Sequence, residues 1–442
     1  MKINLSDHFT YGKLFRFTLP SIAMMLFTSI YGVVDGYFVS NFAGSDPFTA
    51  INLIMPFLMV LGTIGFMFGA GGSALIGKTL GEGDGERASR IFSLLVYFSF
   101  SLAVVIAALG IIFIRPVAVF LGADDTLLNY CVTYGRIILC ALPFFVMQME
   151  FQSFFIVAEK PQLGLFVTLA AGFTNMILDA LLVGVFKGGL VGAAVATAVS
   201  QAVGGTIPLI YFALKNSSLL RFTKTKFDGG ALIRTVTNGA SEFMSNISMS
   251  LVGMLYNFQL LKYAGNNGVA AYGVIMYVSF IFAAMFIGYS VGTAPIVSFH
   301  FGAGNHEELR SLRRKSMLIV GIASLAMTSA SLLLASPLSK LYVGYDAELF
   351  DLTRSGFLIF SFAFLFMGYA IWSSGFFTAL NDGITSAIIS FMRTVVFQIA
   401  AVIILPIFFD VDGIWWSIVA AELMAVFSAG IFLIAKRHKF KY

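Results

Sequence analysis

The chain has 442 residues, of which 59% are hydrophobic and 11% charged, and its mean hydropathy is +0.91. Soluble domains carry about 25% charged residues, so a water-soluble globular protein is excluded. The formal net charge of +5 gathers in a few loops, so it gives no reason to expect a nucleic-acid partner.

Apolar runs long enough to cross a bilayer, roughly 20 residues each, recur along the whole chain. The short alternating strands of a membrane barrel are missing. The pattern predicts an all-α polytopic membrane protein with twelve spans. In chain order these are 15–39, 48–77, 91–114, 132–158, 161–185 and 189–214, then 235–261, 268–299, 316–336, 353–380, 384–409 and 412–435. Span 1 is too long for a signal-peptide core and lacks a cleavage site, so no removal is expected.

Span 1 places Thr28, Tyr31 and Asp35 on one helical stripe. Span 2 ends in Gly72-Ser-Ala-Leu-Ile-Gly-Lys-Thr79, which matches the phosphate-loop pattern letter for letter. That motif works between a strand and a helix N-terminus. Here it closes a membrane span, so no nucleotide is expected. Gly65-x-x-x-Gly69 in span 2 and Gly288-x-x-x-Gly292 in span 8 read as close helix packing.

Span 4 carries Glu150 near its middle, flanked by Gln148 and Gln152. Cys131 and Cys140 are spaced wrongly for a disulfide within one straight helix. Span 5 has Asn175 and Asp179 one turn apart, and span 6 offers a small, polar face at Ala193 and Thr197. Span 7 bears a stripe of Glu242, Asn246, Gly253 and Asn257, Tyr256 sits where the repeat places Asp35, and span 12 holds Glu422. The four histidines, His8, His300, His306 and His438, form no ligand pattern, so no metal centre is expected.

The buried acids are the strongest clue to function. An acid such as Asp at the centre of a span costs about 3 kcal/mol on insertion scales, so it persists where it faces protein, water or an ion. Asp35, Asn175, Asp179 and Thr197 are expected to converge. Two carboxyls with neutral oxygen donors can share one proton or hold Na+. Tyr31, Glu150, Gln152, Glu242, Asn246, Tyr256 and Asn257 are the candidate lining of a substrate cavity.

The chain also repeats itself. Shifted by about 221 residues, Ala43-Gly44 falls on Ala264-Gly265, Gly81-x-Gly83 on Gly302-x-Gly304, Pro116 on Pro337 and Gly192 on Gly413. The reading is an N-terminal lobe at 1–214, a basic linker at 215–234 and a C-terminal lobe at 235–442. Six spans per repeat put both lobes in the membrane the same way round, related by a pseudo-twofold along its normal. Lys and Arg gather on one side, from Lys2, Lys13 and Arg16 through Lys78, Arg87 and Arg90 to Lys436 and Lys441. The other side has little beyond Arg115, Lys187, Lys262 and Lys340. The rich side, with both termini, is expected to be cytoplasmic.

These features resemble the multidrug and toxic compound extrusion (MATE) family, in its DinF-type, MepA-like branch. Pro20 precedes Asp35 at the family spacing, and Asn175-x-x-x-Asp179 followed by Thr197 matches the branch's N-lobe cation site. Gly81-Glu-Gly-Asp and Gly302-Ala-Gly-Asn are family-like helix ends. The resemblance implies a monomeric antiporter of the bacterial inner membrane, not an enzyme. It would export amphipathic organic cations against H+ or Na+ and need no other cofactor. Asp35 and Asp179 would couple the ion, Asn175 and Thr197 would assist, and Pro20 would be a hinge. A second cation site in the C-lobe is not expected, because span 10 has no inner carboxylate to join Glu242. The rival is a lipid-linked saccharide flippase of the same superfamily. Its cavity should be lined by Arg and Lys, whereas acids hold the central positions here.

Overall fold

A computed structural model describes residues 3–42 and 45–442. Lys2 and the Ala43-Gly44 landmark lie outside the described residues. The first half consists of α1 (Tyr11–Phe42), α2 (Ser45–Gly81), α3 (Gly85–Phe120), α4 (Asp125–Val157), α5 (Pro161–Leu178) and α6 (Gly189–Ala213). The second half consists of α7 (Gly229–Gly302), α8 (His306–Val343), α9 (Ala347–Ser361), α10 (Phe364–Ala379), α11 (Gly383–Phe391), α12 (Phe397–Ala435) and the short α13 (Arg437–Phe440). No strand occurs among the described residues.

Local sequence explains where these helices start. Asp84, Asp124, Asp228, Asn305 and Asp346 cap α3, α4, α7, α8 and α9, each side chain accepting a backbone N–H of the first turn. Such a cap satisfies a donor that has no partner inside the helix. Large side chains such as Phe120, Leu333, Phe408 and Ile434 remain exposed along the helix flanks. That surface is stable only against lipid.

Among the described residues nine helical stretches are long and apolar enough to cross a membrane, and a bent pair makes ten. Gly265 (φ 61°) breaks α7 into two crossings, and Asp410 (φ 48°) does the same for α12. With these breaks, the crossings match the twelve spans read from the sequence.

Three departures stand out. Span 10 is two helices, α9 and α10, bent by 50°. No Pro or Gly marks that bend, and the turn is made by tight bonds such as Ala363 N to Phe360 O at 2.8 Å. Span 5 changes register, because α5 ends at Leu178 and Asp179–Val185 continues as π-helix. Span 11 does the same at Met392–Val396. In the connection between the halves, helix resumes at Gly229.

The halves meet through α1 and α2 on one side and α7 and α10 on the other. The contact is self-complementary. A Cβ on Gly81 would overlap the Phe299 carbonyl, and one on Gly302 would overlap the Lys78 carbonyl. Gly81 and Gly302 correspond by the repeat, and so do Lys78 and Phe299. Residue i meeting j while j's equivalent meets i's equivalent is the signature of a twofold. Backbones approach this closely only where side chains are absent.

Residues 3–10 form a strap across the same end of the molecule. Leu5 N donates to Glu159 Oε1 (2.8 Å), and Phe9 N donates to Glu308 Oε1 (2.9 Å). His8 Nδ1 contacts Glu308 Oε2, and Lys315 Nζ donates to the Phe9 carbonyl. Leu5 and Phe9 are fully buried. The C-terminus reaches this end too, where Arg310 Nε donates to the Lys441 carbonyl (3.3 Å). Glu308→Ala leaves the buried Phe9 N–H without its acceptor, at a cost of about 1–3 kcal/mol. Limited proteolysis should then cut within residues 3–10 faster than in the wild type. Unchanged cleavage would refute the strap's anchoring role.

Candidate functional site

In the first half, α1, α5 and α6 bring four polar side chains together. Asp179, Asn175 and Thr197 all face the Asp35 carboxyl. Asp179 is fully buried and Asn175 nearly so. Asp35 Oδ1, both Asp179 oxygens, Asn175 Nδ2 and Thr197 Oγ1 have no hydrogen-bond partner among the described residues. The groups therefore sit close to one another, with these atoms left unsatisfied. Such unmade bonds are costly in an apolar interior, and a proton or small cation between the carboxyls would relieve the cost. Asp179 opens the π-helical turn, which is a common feature of functional sites. Tyr31 lies beside this group, near Asp35 and Gln148.

Pro20 lies within α1, inside a continuous helix. Nearby Ile22 packs against Gly288 of α7, where an added Cβ would crowd the Ile22 backbone.

The second half holds a cavity of about 450 Å3, the size of a drug-binding site, lined among the described residues by α7 and α9 to α12 with the π-turn. Glu242, Asn246 and Tyr256 line it, as does Arg393. Tyr256 and Tyr272 stack in parallel with ring centres 5.5 Å apart. Tyr256 Oη donates to Gln398 Oε1 (2.6 Å) and lies 2.8 Å from Ser417 Oγ. Arg393 Nε donates to both carboxyl oxygens of Glu422, at 3.1 and 2.8 Å. Met249, Met276 and Phe280 supply adaptable apolar wall.

Four residues expected at a cavity are elsewhere, the first being Tyr31, which lies beside the four-residue group of the first half. Glu150 is fully buried and turned toward α3, where Ser99 Oγ donates to its Oε2 at 2.6 Å. Gln152 is also buried, within α4, and lines neither the cavity nor the four-residue group. Asn257 is exposed, one residue past the inward-facing Tyr256. A step of about 100° per residue carries it off the cavity face. Conversely, Arg393 was not anticipated. The available signal was a lone Arg within an apolar span, which by the same cost argument marks a paired or functional group.

A polytopic helical bundle of two repeated halves, with buried ionisable groups in one and a drug-sized cavity in the other, is a membrane carrier. The MatE family model matches residues 20–181 and again residues 243–404, so each half matches once. The chain belongs to the MATE family of transporters, in its MepA-like group. It is 25% identical to the multidrug export protein MepA of Staphylococcus haemolyticus over 430 residues, 97% of this chain and 94% of the relative. It is 26% identical to that of Staphylococcus saprophyticus over 435 residues, 96% and 93% of the two. Among solved structures it resembles an outward-facing multidrug resistance MATE transporter (TM-score 0.93, 20% identity, covering 98% and 97%). It also resembles a MATE structure in the bent conformation (TM-score 0.89, 20% identity, covering 99% and 97%).

Proposed function

We propose that the protein exports amphipathic organic cations from the cytoplasm in exchange for H+ or Na+. The observation that carries this reading is the group of Asp35, Asn175, Asp179 and Thr197, in which Asp35 Oδ1, both Asp179 oxygens and Thr197 Oγ1 lack partners among the described residues. Its oxygen donors suit a hard cation or a proton shared by two carboxyls. The MepA relatives named above are multidrug export proteins, and their alignment runs through both halves. The carrier works as a monomer in the bacterial inner membrane with both termini in the cytoplasm.

In this reading the ion binds the first half and the organic cation binds the cavity. Each ligand favours a different state of the rocking halves. The strap and the glycine contact hold the terminal end shut in this conformation. The flippase alternative calls for a cavity rich in basic groups. Arg393, the cavity's one basic residue among those described, is already paired with Glu422.

Ethidium efflux from proteoliposomes, with H+ and Na+ gradients imposed separately, tests the proposal. Uphill export driven by one of the two is expected. Ethidium movement indifferent to both gradients would overturn it.

A further inference from the structure

We propose that the cavity in the second half selects its ligand by valence, accepting one positive charge, and that Arg393 sets that limit. The inference rests on reading the cavity as the site for organic cations.

Three charged side chains line the space, Glu242, Glu422 and Arg393. Arg393 is committed to Glu422, with its Nε reaching both carboxyl oxygens, while the pair is only 18% and 2% exposed. Arg is always protonated, and a buried pair of opposite charges counts as neutral toward a ligand. Glu242 is left over. No hydrogen bond reaches its carboxyl among the described residues, and the one basic side chain of the cavity wall is committed to Glu422. The wall therefore offers one acid without a partner, Glu242, to meet an incoming positive charge in otherwise apolar and aromatic surroundings. The stacked Tyr256 and Tyr272 rings offer π-faces that attract a cation. In such a low-dielectric space an unmatched charge is heavily penalised. A monocation is neutralised by Glu242, whereas a dication carries in one charge with no partner. Arg393 thus behaves as a built-in cation occupying the second acidic position.

The charge count can be moved one unit at a time. Ethidium and propidium share a phenanthridinium ring and carry one and two positive charges, and their binding to protein in nanodiscs is read by fluorescence. The wild type should prefer ethidium. Arg393→Gln leaves two unpaired acids and should shift the ethidium-to-propidium affinity ratio toward propidium by at least about tenfold. Glu422→Gln lets Arg393 neutralise Glu242 and should weaken ethidium by at least about tenfold. The Arg393→Gln, Glu422→Gln double variant restores a single negative charge and should return the wild-type ratio. It also breaks no pair one-sidedly, so it remains informative if Arg393→Gln alone does not fold. An unmoved ratio in Arg393→Gln, undiminished ethidium binding by Glu422→Gln, or a double variant unlike wild type would each overturn the proposal. The test is an equilibrium measurement without a gradient. Charge-dependent binding without efflux would sink the export reading alone, and efflux with charge-independent binding would sink only this inference.

Discussion

The Asp35→Asn, Asp179→Asn double variant is expected to lose gradient-driven export while remaining folded. Both substitutions keep side-chain shape and remove the capacity to exchange a proton or bind Na+. Coupling between two ligand sites is typically about 1–3 kcal/mol, or roughly 5–150-fold. Uphill ethidium export should therefore fall by at least about fivefold, while downhill movement with no imposed ion gradient persists. Both Asp179 oxygens and Asn175 Nδ2 lack partners among the described residues, so the amides remove no hydrogen bond that those atoms make. The double variant should accordingly keep its thermal stability. Full gradient-driven export by it would refute the coupling role. Collapse of the fold would instead assign the aspartates to structure.

A comparable effect is expected from a single methyl group at the contact between halves. Gly81→Ala places a Cβ against the Phe299 carbonyl, and Gly302→Ala places one against the Lys78 carbonyl. These neighbours are backbone atoms within helices, so they cannot swing aside as a flexible side chain would. Overpacking of this kind costs about 1–3 kcal/mol. The whole cost falls on the conformation in which the terminal ends of α2 and α7 touch. Each 1.4 kcal/mol is about a tenfold change in population. The double variant should thus populate a form open at the terminal end, read as a longer spin-label distance between the ends of α2 and α7. Export should drop because the cycle must pass through the closed contact. An unchanged distance distribution would show that the contact does not hold the terminal end shut.

Much of this was legible in local sequence. Hydropathy and length marked the crossings, because every buried backbone group in lipid must bond within its own helix. The constant shift between Gly81 and Gly302 announced the repeat, and the structure gives it a physical role, since those glycines let the halves touch. Asn175 and Asp179 were readable as partners because one helical turn separates them. The bend between α9 and α10 was not readable. Its residues, Phe362 and Ala363, continue a helix as well as any others.

The sequence by itself determined the solvent, the number of crossings, the twofold plan and the identity of the first half's polar group. Tertiary structure alone decided that Glu150 turns toward Ser99, that Asn257 faces away from the cavity, and that Arg393 pairs with Glu422 while Glu242 lines the cavity. The reason is geometric. Composition and periodicity are properties of one helix, but which of its faces meets a neighbour depends on its rotation in the bundle. That rotation is set by close backbone approaches and by π-turns whose energy comes from the packed neighbours and not from the local residues.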